Sequence, residues 1–207
     1  MRALAAVLAV LALAAPAAWA DGDPASDVLI AQDVYLPYSP PTRADLQRAL
    51  ERTVREARAA GYPVKVALIA SQGDLGAYPA LYNKPNEYAT LLAQELPANA
   101  HGRRVTGQRI LVVMPGGFGG VNLGEGVDEA LGGVEIQAAA QSDGLAVAAM
   151  GAVARLATAN GHRVATPPEA GTTLGRAEGG GGPSPLLYLA PVAVLFAALV
   201  ALGRRRS

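Results

Sequence analysis

VKVALIA, Val64 to Ala70, is the stretch on which the fold turns. Its apolar residues run almost unbroken over strand length, where a half-exposed strand would alternate polar and apolar positions. Such a run fits a central strand covered on both faces. The following SQGDLG, residues 71–76, is then a loop at the carboxyl end of a strand, where α/β folds place their sites. Ile110 to Met114 reads as a second buried strand.

Upstream of Val64, Thr42-Arg43-Ala44-Asp45 has the form of a capping box, a hydroxyl followed three residues on by a carboxylate. The helix it opens carries Leu46, Leu50, Val54 and Ala57 at helical spacing. Arg48, Glu51, Arg52, Arg55 and Glu56 form its solvated faces, and Gly61 is its left-handed cap. Before it, Val28-Leu29-Ile30 predicts a short first strand, and YLPYSPP halts regular structure. Between the two buried strands, Asn83 to Leu96 predicts a helix with Asn83 as cap candidate and Pro85 in its first turn. ANAHGRR follows as a polar loop. A last helix, from about Ser142 to Asn160, aligns Leu145, Val147, Met150, Val153 and Leu156 and is closed by Gly161. Strands and helices alternating at these lengths indicate an α/β layered domain with largely parallel strands.

The ends read differently. Residues 1–20, MRALAAVLAVLALAAPAAWA, combine Arg2, a short apolar core, Pro16 and the small-x-small triplet Ala18-Trp19-Ala20, the pattern of a secretory signal cleaved after Ala20. Residues 21–166 form the folded region, one domain's worth of chain. Residues 167–185 are rich in glycine, proline and small polar residues and read as a flexible tether. Residues 186–203 are uncharged, and at about 1.5 Å per residue they reach about 27 Å, enough for one transmembrane helix. Arg204 to Arg206 in the tail, residues 204–207, predict a cytoplasmic C-terminus and leave the folded domain extracytoplasmic on a single-pass cell-membrane anchor.

The chain has no cysteine, which excludes disulfides, thiol catalysis and thiolate metal sites. Of seventeen basic residues, Arg2 and the three tail arginines lie outside the exported part, leaving thirteen against seventeen acidic ones. That balance carries no electrostatic footprint for nucleic acid.

MPGGFGG, residues 114–120, raises the question of a phosphate loop. A GxxxxGK[ST] loop needs a lysine and a hydroxyl after its last glycine, and neither follows Gly120. The GxGxxG fingerprint lacks its third glycine in register. Val121-Asn122-Leu123 predicts a short strand, so the glycines read as a hairpin turn. Gly116, Gly117, Gly119 and Gly120 remain a candidate anion-binding turn, because glycine-rich turns form backbone nests. The two histidines, His101 and His162, lie in separate loops without an acid at motif spacing. Asp33, Asp74, Glu125 and Asp128 fall in or near loops and are candidate hard-oxygen ligands for Ca2+ or Mg2+, without EF-hand spacing.

The order of signal peptide, DVYLPYSPPTRADLQRAL, helix, VKVALIAS, second helix, ILVVMP, GFG turn, glycine-rich tether and apolar span resembles the TPM-domain family of exported, membrane-anchored bacterial proteins. Asp33 stands six residues before Ser39-Pro40, as an aspartate does in that family. Gly117-Phe118-Gly119 matches its Gly-aromatic-Gly turn, and the acidic residues that follow the turn are Glu125 and Asp128. The resemblance covers roughly residues 27–143. The family's longer hairpin is compressed here, and YPALYNKPNEYATLLAQEL with LVVMPGGFG is closer to a divergent branch of exported bacterial proteins. The resemblance implies a three-layer α/β/α sandwich with a mostly parallel or mixed sheet. It also implies divalent-metal binding, metal-dependent phosphatase activity or an accessory role in membrane complexes.

Two functions follow. One is a non-catalytic binding or accessory module for membrane or envelope proteins, confined near them by the tether. The alternative is a divalent-metal-dependent phosphoester hydrolase with the four carboxylates as ligands, for which Arg103 and Arg104 would have to supply the cation that phosphoryl charge requires. The absence of a recognisable nucleophile and base weighs toward the module.

Overall fold

The computed structural model describes residues 22–96 and 107–171. The expected signal peptide, the expected transmembrane segment, nearly all of the expected tether, and the stretch with His101, Arg103 and Arg104 lie outside the described residues. Among the described residues no helix is long and apolar enough to cross a membrane.

The architecture is α/β, a mixed four-stranded sheet with helices. In chain order the elements are α1 (Pro24–Ala31), β1 (Val34–Tyr35), α2 (Ala44–Ala59), β2 (Val64–Leu68), α3 (Pro85–Glu95), β3 (Arg109–Met114), β4 (Gly117–Val121), α4 (Val127–Gly132) and α5 (Gln141–Ala159). Short 3-10 turns fall at Gln72–Leu75, Pro79–Leu81, Ala138–Ala140 and Pro168–Gly171. The strands lie in the order β1-β2-β3-β4; β2 runs parallel to both β1 and β3, and β4 runs antiparallel to β3 at one edge.

Because side chains alternate across a strand, the buried runs divide between two cores. Val64, Val66, Leu68, Leu111 and Val113 join α2 and α5 on one face. Ala67, Ile69, Ile110, Val112 and Met114 join α1 and α3 on the other. α2 buries Leu46, Ala49, Leu50, Thr53, Val54 and Ala57, a single stripe at helical spacing, and exposes the five charged residues expected on its outer faces. Gly61 closes it at φ +95°, with Tyr62 N–H reaching back to the Ala57 carbonyl at 2.8 Å. α5 is buried on nearly every side, as a helix wedged between the sheet, α2 and α4 must be.

Four local expectations are corrected. Val28 to Ile30 is not a strand but part of α1. Asp23 caps that helix by accepting the Ala25 N–H, Pro24 occupies the first turn, and Ala25 and Leu29, one turn apart, supply the buried face. Thr42 does not cap α2, because its hydroxyl is buried without a partner. Arg43 holds the cap position instead, its N–H donating to Asp143 Oδ1 at 2.8 Å and its guanidinium pairing with Asp143 at 3.1 Å. Lys84, not Asn83, holds the N-cap position of α3, without a side-chain capping bond, and Asn83 takes the left-handed conformation at φ +59°. The β3–β4 hairpin is present, but its turn is Pro115-Gly116 and the glycines themselves form the strand, with Met114 facing Gly117 and Ile110 facing Val121.

That last strand has no intrinsic preference for being one. What fixes it is packing: a Cβ on Gly119 would stand 2.2 Å from the Pro85 carbonyl carbon and 2.3 Å from Asn86 N, so only glycine lets the first turn of α3 lie on β4.

Candidate functional site

The four carboxylates proposed as ligands occupy different places. Asp33 precedes β1 beside the start of β2, where it accepts from Arg58 and lies 3.4 Å from Lys65 Nζ. Lys65 also donates to the Leu29 carbonyl and, at 2.7 Å, to that of Gln32, so it pins the end of α1 to β2. Burial lowers its pKa while Asp33 opposes the shift. Asp74 lies beyond the other end of β2, about 16 Å along a five-residue strand. It is buried and fully engaged: Oδ2 accepts from Ala70 N (3.0 Å), Ser71 N (2.8 Å) and Ser71 Oγ (3.1 Å), and Oδ1 from Tyr38 N (3.1 Å). Glu125 is exposed on a loop fastened by Asn160, whose Oδ1 accepts the Glu125 N–H at 3.1 Å. Asp128 projects from the first turn of α4. Among the described residues no three Asp, Glu or His side chains gather closely enough to hold a metal.

Asp128 and the glycine strand do come together. A cleft of about 340 Å³ runs beside β4, lined by Asn86 of α3, Phe118, Gly120, Asn122, and Asp128 and Leu131 of α4. Its volume is at the lower end of the range for ligand pockets. Its floor is the open edge of the sheet. Ile69 N–H donates to the Val113 carbonyl at 3.0 Å, so the peptide groups of Val113 face β2. Phe118, its register partner, therefore turns its own N–H and C=O away from β3. Gly120, two residues on, faces the same way, and its N–H donates to Asn86 Oδ1 at 3.1 Å. Gly117 and Gly119 point their peptide groups into the ladder instead. Of the four glycines proposed as an anion nest, then, Gly117 and Gly119 are committed to the sheet, Gly120 to Asn86, and Gly116 lies in the turn.

A second polar cluster sits on the α1–α3 side. Asp23 is 2% exposed; Tyr88 donates its hydroxyl to Oδ1, and Oδ2 has no partner. Glu95, at the end of α3, accepts the Tyr78 hydroxyl at 3.0 Å on Oε1, while its Oε2 is also buried and unpartnered. Burial pushes the Asp23 carboxyl up to about 6; the Tyr88 hydrogen bond opposes this and the charge of Glu95 adds to it. Burial likewise raises Tyr88, as does the Asp23 carboxylate. The Tyr35 hydroxyl, raised chiefly by burial, donates to the Asp74 carbonyl at 3.3 Å and ties this cluster to the loop after β2.

Asn86, Asn122 and Asp23 are the residues the sequence reading did not single out. For Asp23 a signal was present: Asp followed by Pro is a helix-start signature. Asn86 and Asn122 carry no such signal, because only the fold brings a helix's first turn beside a loop 36 residues later.

Comparison with protein-family models, with curated proteins and with solved structures finds no match to this chain.

Proposed function

We propose that this chain is a membrane-anchored, extracytoplasmic module of three α/β/α layers that binds membrane or envelope proteins, with the β4 cleft as its contact site. The observation that carries this reading is the cleft's construction. It joins outward-facing peptide groups, two side-chain amides, a phenyl ring and one carboxylate, which are groups that recognise a partner by hydrogen bonding and shape. The anchor read at residues 186–203 and the tether at 167–185 would hold that cleft near membrane partners and raise their effective concentration.

Site-specific photo-cross-linking in intact membranes tests it. A benzophenone side chain placed at Asn122, in the cleft, should give a discrete cross-linked species that the same group at Arg48, on the outer face of α2, does not. Equal products from both positions, or none from Asn122, would dismiss the cleft as the contact site.

A further inference from the structure

The construction of the cleft floor specifies the kind of partner, an inference that rests on the cleft being the contact site. Sheet edges in folded proteins are blunted by charges, proline or bulges, because unpaired peptide groups invite another strand. β4, Gly-Phe-Gly-Gly-Val, has no charge and no proline, and its five register pairs with β3 are unbroken by a bulge. Its outward peptide groups recur at Phe118 and Gly120, the two-residue period at which an extended chain presents its own. The Gly120 N–H is held by the side-chain carbonyl of Asn86, which occupies the place a neighbouring strand's carbonyl would take. Asn86 is exposed and anchored to β4 by that bond, so its amide can be exchanged for a backbone group. The charge inside the cleft has one sign: Asp128 lines it, and no lysine or arginine among the described residues does, while Lys84 just outside pairs with Glu87 at 3.7 Å.

We propose that β4 accepts an extended segment of a partner protein as a fifth strand. A backbone carbonyl of that segment replaces Asn86 on the Gly120 N–H, and a lysine or arginine of the segment meets Asp128. Main-chain pairing would supply the affinity and the Asp128 carboxylate the choice of sequence.

The test uses full-length protein in detergent and two labelled, end-capped heptapeptides, TVTKTVT and TVTETVT, followed by fluorescence anisotropy and by the amide resonances of Phe118 and Gly120. The lysine peptide should shift both resonances and bind about fivefold more tightly than the glutamate peptide. Asp128→Lys should reverse that order. Asn86→Ala is the discriminating variant. If Asn86 competes with the incoming strand, removing it should tighten binding by about fivefold, the worth of one hydrogen bond. Weaker or unchanged binding in Asn86→Ala would mean that the cleft grips side chains, and would overturn strand addition. Failure of both peptides to move the two resonances would overturn it as well, even where Asn122 cross-links a partner in membranes, so the broader reading can survive the narrower. A concentration-dependent dimer that shifts the same resonances without peptide would assign the edge to a second copy of the chain and refute the proposal.

Discussion

Replacing Asp23 with asparagine should stabilise this protein at pH 8 and leave it unchanged near pH 4. Asp23 is 2% exposed, and its Oδ2 faces the interior without a hydrogen-bond partner. Ionising it therefore requires burying a charge that the Tyr88 hydroxyl, the Ala25 N–H (3.3 Å) and the Ser26 backbone help to hold but do not fully offset, with Glu95 adding like charge nearby. Its carboxyl is accordingly raised from 3.8 to about 6 in the folded protein. A raised carboxyl binds more protons folded than unfolded, so the stability linked to it is fully present below about pH 4 and is lost as pH rises through about 6. Across that interval, at about 1.36 kcal/mol per pH unit, the loss amounts to roughly 3 kcal/mol.

Asparagine caps a helix as well as aspartate does, keeps an acceptor for Ala25 and Tyr88, and puts a neutral amide where the unpartnered Oδ2 now carries charge. Urea unfolding followed by far-ultraviolet circular dichroism at pH 8 and pH 4 measures the difference. Asp23→Asn should exceed the parent by about 1–3 kcal/mol at pH 8, with unchanged urea slope, and match it within about 0.5 kcal/mol at pH 4. An equal difference at both pH values, or a variant less stable at pH 8, would refute the assignment of a strained buried carboxylate.

Asp74→Asn should cost about 2–4 kcal/mol in the same urea assay, because the amide nitrogen cannot accept from the backbone donors that Asp74 now holds. Gly119→Ala should cost about 1–3 kcal/mol and accelerate hydrogen exchange at the Gly120 amide, since the new methyl pushes the first turn of α3, and Asn86 with it, off β4. Tyr62→Phe removes a buried hydroxyl that donates to the Leu123 carbonyl at 2.7 Å but keeps the ring beneath Arg109, whose guanidinium lies 4.5 Å from its centre. The melting temperature should fall by about 3 °C, corresponding to about 1 kcal/mol.

What was legible in the sequence was periodic or local. The stripe on α2 and the unbroken runs of β2 and β3 are periodic, and each fell where its pattern indicated. Val28 to Ile30 misled because three apolar residues are too few to carry a period. Of the three only Leu29 is fully buried, and Ile30 is 57% exposed, which suits one face of a helix. The Ser/Thr-x-x-acid pattern stands at Thr42, yet the reciprocal box forms at Ser71 and Asp74, where the chain turns sharply after β2. At Thr42 a tertiary contact wins: Asp143 of α5 reaches Arg43 and takes over the end of the helix. A spacing rule has no access to a partner 100 residues away.

The glycine stretch shows the same limit from the other side. Its composition invites readings in which glycine serves its backbone freedom, as a phosphate loop, a nest or a tight turn. In the folded chain Gly119 serves mainly by lacking a methyl, which lets Pro85 and Asn86 rest on the strand. That close approach is what carries the Asn86 amide to the Gly120 N–H, and the Phe118 peptide beside it is left facing outward along the edge. Packing and the proposed recognition therefore depend on the same absent side chains. A larger residue at 119 would separate α3 from the sheet and release the Gly120 N–H from Asn86, so a loss of stability and a tighter hold on an added strand should appear together at this position. At Asp128, exposed on α4, binding should change alone.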